Sequence, residues 1–120
     1  MLVHDGVNVA RSSYNAEVMW GSGVPETPAA RTALGVGIPS VLGMTGEKLI
    51  VLVVDGESNR IGISLEDMAD VFKQLGARVA VNLDGGGSTQ LAINKNLVNK
   101  PDGGTFERPV AAGVVLRALS

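Results

Sequence analysis

The sequence contains no cysteine and a single histidine, His4. The absence of cysteine excludes disulfide bonds, thiolate metal sites and cysteine nucleophiles. With only one histidine, a metal site built from several histidines is excluded as well. Asp55 and Asp84 are weak grounds for a hard-cation site, because no calcium-loop motif surrounds them. We therefore expect no metal and no cofactor.

Basic residues are not in excess, since ten Lys and Arg stand against twelve Asp and Glu, for a formal net charge of −2. Phosphate backbones are usually bound by a surplus of Lys and Arg, so we expect no nucleic-acid partner. The longest apolar run, residues 49–54, is much shorter than the about 20 residues of a membrane span, so we expect no membrane partner. The N-terminus shows no signal-peptide pattern.

Aromatic residues are also scarce, whereas apolar residues make up 45% of the chain and charged residues 18%. This composition is that of a globular protein, and 120 residues suffice for one domain with a single core. The core must be built mainly from Val, Leu, Ile, Ala and Met. The 16 glycines have no collagen-like period, and they indicate tight turns between short strands.

One helix is predicted over residues 65–75. Ser64 is a suitable N-cap, and Gly76 is placed to end the helix. The apolar residues of this segment recur at helical spacing and predict a buried stripe. The members of the stripe are Leu65, Met68, Ala69, Phe72 and Leu75.

The other regular segments read as strands. Residues 48–55 form a near-continuous apolar run, which predicts a central strand covered on both faces. The remaining predictions are a hairpin over residues 2–9 with Asp5-Gly6 as its turn, strands at 31–37 and 78–83, a hairpin over 90–99 around Lys95-Asn96, and a final strand at 109–119. The expected fold class is α+β, a mixed β-sheet of short strands with one principal helix packed on it.

A run of three glycines, Gly85 to Gly87, follows a predicted strand and is flanked by Asp84 and by Ser88-Thr89. Successive glycines are costly in chain entropy, so something must require backbone conformations or approaches that side chains would block. One explanation is a tight connection between strands. The other is a concave turn whose N–H groups face an anion, with Asp84 as an acid–base group, a sugar hydroxyl partner or a cap.

Six segments of the chain, in this order, resemble the motifs of one enzyme family. The segments are Arg31-Thr32-Ala33-Leu34-Gly35, Leu52-Val53-Val54-Asp55-Gly56, the helix entry at 62–69, the helix exit Leu75-Gly76-Ala77, Asn82-Leu83-Asp84-Gly85-Gly86-Gly87-Ser88-Thr89, and Glu107-Arg108-Pro109-Val110. Together they resemble the phosphodiester glycosidase family.

The resemblance implies a pocket, with Asp84 as first and Asp55 as second catalytic carboxyl group. Its substrate-binding residues would be Arg31, Gly86, Gly87, Ser88, Thr89 and Arg108. Guanidinium groups bind phosphate oxygens through paired hydrogen bonds, which suits Arg31 and Arg108 to a phosphodiester. From the residues alone, both arginines could instead be surface or structural ion-pair residues, and Asp55 could equally be a turn residue.

The activity that the resemblance implies is hydrolysis of a sugar-1-phosphodiester, similar to an N-acetylglucosamine-1-phosphodiester. The alternative is a non-catalytic module that binds a phosphorylated sugar or nucleotide through the same turn. The family domain has a longer N-terminal portion, so we expect residues 1–120 to be a single domain that corresponds to the C-terminal half of the family domain, either truncated or a minimal natural version of it. Within it we expect an irregular segment at 1–30 and a family-like core at 31–119. The expected partner is a small-molecule or glycan phosphodiester, and exposed strand edges would favour homo-oligomers.

Overall fold

The computed structural model describes residues 1–17, 25–56, 61–83, 85, 88–99, 109 and 113–117. These residues form an α+β fold, which confirms the predicted class. Its elements are β1 (Val3–His4), β2 (Val7–Asn8), α1 (Ala10–Glu17), β3 (Arg31–Gly37), a 3-10 turn (Ser40–Leu42), β4 (Lys48–Val54), α2 (Leu65–Gln74), β5 (Ala77–Asn82), β6 (Ala92–Ile93) and β7 (Asn96–Leu97).

Five strands form the main sheet, in the order β2-β1-β5-β3-β4, and every described pair is antiparallel. The predicted strand at 31–37 is confirmed as β3, which pairs with β4 from Arg31↔Val54 to Gly37↔Lys48. The prediction that residues 48–55 form a covered central strand is wrong, because in the described part of the chain β4 pairs only with β3 and its residues are exposed or half-buried. An apolar run does not distinguish an edge strand from a central one when both sheet faces are apolar.

Helix α2 packs on one face of this sheet and forms the core. Leu65, Met68, Ala69 and Phe72 are buried as predicted, whereas Leu75 is half-buried. The Ser64 hydroxyl accepts from the N–H of Asp67 at 3.0 Å, which confirms the N-cap. The φ of +81° at Gly76 ends the helix, in a conformation that glycine adopts without strain.

A second helix, α1, lies within residues 1–30, which were predicted to be irregular. That prediction is wrong because the helix depends on tertiary contacts rather than on its own sequence pattern. Asn8 accepts from the N–H of Ala10 at 3.0 Å, and its amide donates to the Glu66 carbonyl at 3.0 Å. Among residues 10–16 of the helix, Ala10 is the one that is fully buried, so this segment lacks the apolar stripe by which a helix is predicted.

The two hairpins differ in how well their turns were predicted. The first hairpin is confirmed, with Asp5 and Gly6 at φ +50° and +75°. In the second, the turn residues are Asn94 and Lys95, at φ +51° and +68°, one residue before the predicted Lys95-Asn96. Asparagine tolerates the left-handed conformation better than most residues, which places it first in the turn.

The predicted final strand at 109–119 is described only at Pro109 and at residues 113–117. Residues 113–117 are not a strand, so the prediction is wrong there. Their composition suits a strand, but they form no ladder with the described strands, and Val115 is 80% exposed. No helix within the described ranges is long and apolar enough to cross a membrane.

Candidate functional site

The antiparallel register brings three strand ends together at one end of the sheet. Arg31, the first residue of β3, lies opposite Val54, the last residue of β4. Asn82, the last residue of β5, lies opposite Ala33. Asp55 directly follows β4 and Leu83 directly follows β5, so both lie at the same end of the sheet as Arg31. Gly85 lies at this end as well, next to Ala30.

Gly85 is explained by a close approach of two backbones. A Cβ atom at this position would lie 2.7 Å from the carbonyl oxygen of Ala30, a distance that no side chain tolerates. The N–H of Ser88 donates to the Gly85 carbonyl at 3.2 Å, which links the two described ends of the run. The structural explanation of the run therefore holds for its first glycine, while Asp84, Gly86 and Gly87 lie outside the described residues.

Asn99 connects Asp55 to the segment that follows the glycine run. Its Nδ2 donates to Asp55 Oδ1 at 2.9 Å and to the Thr89 carbonyl at 2.5 Å. Its Oδ1 accepts from the N–H of Leu91 at 2.7 Å. Asn99 was predicted only as the last residue of a hairpin strand, and a single sequence holds no signal for these contacts.

Three buried oxygen atoms at this end of the sheet accept no described hydrogen bond. They are Thr32 Oγ1 on β3, Asn82 Oδ1 on β5 and Thr89 Oγ1. Thr89 itself is completely buried. A buried polar atom without a partner costs about 1–3 kcal/mol, so ordinary core packing does not favour such atoms. Their concentration here separates this end of the sheet from its apolar remainder.

Arg31 is half-buried and bound to the main chain. Its Nε donates to the Ile63 carbonyl at 2.7 Å, and Nη2 donates to the Thr27 carbonyl at 2.8 Å. Burial lowers the pKa of the Arg31 guanidinium, and Tyr14 acts in the opposite direction. A guanidinium has five N–H donors, so these two bonds leave donors that could face an anion. The described contacts support the structural role, and substrate binding remains a prediction.

The other predicted site residues are placed as follows. Asp55 and Ser88 are half-buried, and Asp55 is joined to Thr89 through Asn99. Arg108 lies outside the described residues. Ser88 lines a cavity of about 180 Å³ together with Thr32, Leu34, Val51, Leu83 and Leu91. The described residues contain no group of three or more His, Cys, Asp or Glu that could hold a metal ion.

Comparison with known proteins identifies relatives by sequence and relatives by structure. N-acetylglucosamine-1-phosphodiester alpha-N-acetylglucosaminidase of Bos taurus is 39% identical over 54 residues, which are 45% of this chain and 10% of the relative. The Mus musculus protein of the same name is 37% identical over 54 residues, with the same coverage. The chain thus spans about a tenth of the length of these curated relatives.

Solved structures show the same relationship. The zebrafish N-acetylglucosamine-1-phosphodiester alpha-N-acetylglucosaminidase catalytic domain, auto-inhibited by its pro-peptide, superimposes with a TM-score of 0.69 at 26% identity, over 91% of this chain and 37% of that one. A hypothetical protein from Synechocystis gives a TM-score of 0.56 at 29% identity, over 84% of this chain and 17% of that one. The family model described as phosphodiester glycosidase matches residues 1–117. The sequence motifs, the fold and these matches agree, and the chain belongs to the phosphodiester glycosidase family.

Proposed function

We propose that the chain hydrolyses the bond between a sugar and a phosphodiester, in a substrate similar to an N-acetylglucosamine-1-phosphodiester. The observation that carries this proposal is the link from Asp55 through Asn99 to Thr89, which ties a carboxyl group to the segment after the glycine run. Family membership and the activity for which the bovine and mouse relatives are named support it.

The proposed chemistry divides between carboxyl groups and anion-binding groups. Glycoside cleavage typically uses two carboxyl groups, one as acid and one as base or nucleophile. Asp84 is the first candidate because it adjoins the glycine run, and Asp55 is the second. The amide of Asn99 donates to Asp55 Oδ1 and so fixes how this carboxyl group is oriented. A phosphate leaving group is already acidic, so the general acid has less to supply than in an ordinary glycoside.

The phosphodiester would be held by groups that recognise anions. Arg31 offers the guanidinium donors that its two main-chain bonds leave over. We assign the side chains of Arg108, Ser88 and Thr89 to the same task. The N–H groups of Gly86 and Gly87 are assigned to it as well, because successive backbone N–H groups in a turn can form an anion-binding concavity. Each of these residues is a proposed binding residue.

The test is release of N-acetylglucosamine from an N-acetylglucosamine-1-phosphodiester by the purified 120-residue chain. Asp84→Asn should lower kcat by at least about 100-fold, and Asp55→Asn by about 10-fold or more, as expected for lost acid–base groups. Asp5→Asn is the matched control, because Asp5 is an exposed turn residue whose φ of +50° suits asparagine equally well. It should leave kcat unchanged.

The other outcomes decide between the alternatives. A folded chain that binds the phosphodiester without turnover, and whose affinity survives Asp84→Asn, is a binding module for phosphorylated sugars or nucleotides. A folded chain that neither binds nor cleaves the phosphodiester contradicts both functions.

A further inference from the structure

We propose that Asn99 is a positioning residue, whose amide holds Asp55 and the Thr89 segment in the relative arrangement that turnover requires. Its effect on turnover rests on the proposed function, whereas the link itself is a property of the folded chain. Asn99 contributes no group to acid–base chemistry, so any effect on turnover must act through the residues that it holds.

The amide uses its hydrogen-bonding capacity on three separate points of the chain. Both protons of Nδ2 are donated, one to Asp55 Oδ1 and one to the Thr89 carbonyl. The oxygen accepts from the N–H of Leu91. Asp55 is 44 residues away in sequence, and Thr89 is 10 residues away. One side chain therefore fixes the end of β4 to the segment after β5.

The surrounding groups determine which way the amide faces. A flipped amide would direct its oxygen at the Asp55 carboxyl and the Thr89 carbonyl, and its NH₂ at the N–H of Leu91. All three contacts would then join two acceptors or two donors. The site therefore requires a donor and an acceptor on one short planar side chain, and asparagine is the residue that provides them.

Aspartate has the same shape but lacks the donor. In Asn99→Asp, oxygen atoms would face Asp55 Oδ1 and the Thr89 carbonyl, while the bond from Leu91 would persist. This substitution therefore removes the link to Asp55 and Thr89 while it keeps the volume of the side chain. Asn96 is the matched control, because it is an exposed residue of the same hairpin whose one described side-chain bond is a 3.4 Å contact to the Asn94 carbonyl.

The first experiment is a kinetic comparison. Misplacement of a catalytic group by about 1 Å costs on the order of 100-fold in rate. We expect Asn99→Asp to lower kcat by about 10- to 100-fold and to raise KM by a smaller factor. The bond to Asp55 positions a proposed reacting group, whereas the bond to Thr89 positions a segment proposed to bind the phosphodiester. Asn96→Asp should match the wild type. Unchanged kcat in folded Asn99→Asp, in a chain that turns over, would overturn the positioning role.

The second experiment does not depend on turnover. Urea unfolding of Asp55→Asn, Asn99→Asp and the double variant forms a double-mutant cycle. In the double variant an amide at 55 can donate to a carboxylate at 99, which reverses the polarity of the bond. We expect the double variant to have a folding equilibrium constant at least about fivefold higher than the two single effects predict.

The two experiments separate failure of the link from failure of the activity. Single effects that simply add, within about twofold, would show that the link between Asp55 and Asn99 is not formed in solution and would overturn the inference. Strong coupling in a chain without turnover would support the link and contradict the proposed hydrolase.

Discussion

Arg31 illustrates how one side chain can serve the fold before it serves a ligand. Its bonds to the Ile63 and Thr27 carbonyls join β3 to the segment before α2 and to the segment before β3 itself. Without the Arg31 side chain, both main-chain carbonyl groups would lose this hydrogen-bond donor. From the sequence, Arg31 could be a phosphate-binding or an ion-pair residue; its described contacts are hydrogen bonds to main-chain carbonyls, and phosphate binding stays a prediction.

Replacement of Arg31 by lysine separates charge from geometry. Lysine keeps the positive charge, but a single ammonium cannot reproduce the fork that reaches both carbonyls. We expect Arg31→Lys to lower the free energy of unfolding by about 1–3 kcal/mol, measured by urea denaturation. Arg11→Lys is the control, because Arg11 is exposed and forms surface ion pairs with Glu26 and Glu66, and it should change stability by less than about 1 kcal/mol. Equal stability of the two variants would contradict the structural role.

Elements whose signals are local were predicted from the sequence, and elements that depend on distant contacts were not. The helix α2 carries its own cap, stripe and stop, and β3 lies between clear turn signals, so both were predicted. The helix α1 was missed because Asn8 reaches Glu66 and Asp70, which are 58 and 62 residues away in sequence. The edge position of β4 is likewise decided by its neighbours.

The same distinction applies to the candidate site. Motifs placed Asp55 and the glycine run after predicted strands, and the antiparallel register brings the ends of β4 and β5 to the same end of the sheet. Asn99 was missed because an asparagine at the end of a hairpin strand is indistinguishable in sequence from any other polar residue there. Its partners become neighbours only in the folded chain.

Asn8 provides a test of how α1 is held. Its side chain caps Ala10 and donates to the Glu66 carbonyl and to Asp70 Oδ1, at 3.0 and 2.9 Å. Asn8→Ala should therefore lower the free energy of unfolding by about 1–2 kcal/mol, the cost typical of a lost cap. Asn15→Ala, on the exposed side of the same helix, should be neutral or slightly stabilising. Thermal unfolding followed by circular dichroism measures both, and no difference between them would show that α1 does not depend on this contact.

Seen as a whole, the described chain has one covered and one poorly covered sheet face. Alternate β3 residues, such as Ala33, are buried under α2, and a Cβ at Gly35 would lie 2.7 Å from the Phe72 ring. On the opposite face Leu49 and Val81 are 48% and 37% exposed. The strand β4 is an edge strand of the described sheet, and its residue Leu49 belongs to the poorly covered face. An exposed apolar edge strand is a template for pairing with another chain.

We propose that this edge supports self-association of the chain. Sedimentation velocity over a range of concentrations should detect species larger than the monomer, and Leu49→Lys should shift them towards monomer, because an edge lysine disfavours strand pairing. Ile61→Lys is the matched control, since Ile61 is 82% exposed but lies outside the strands. A wild-type chain that stays monomeric at all concentrations, or equal effects of the two lysines, would contradict pairing through β4.

The three hydrogen bonds of the Asn99 side chain also have a consequence for the order of folding. Its partners come from segments that are separated by β5 and α2, so the bond to Asp55 closes a loop of 44 residues. Non-local contacts are formed late because the chain entropy of closure must be overcome first. The bond from the N–H of Leu91 to Asn99 Oδ1 spans only 8 residues, so it can form within the hairpin before that loop closes. The amide proton of Leu91 should therefore become protected from exchange with solvent during refolding before Asn99 is bound to Asp55.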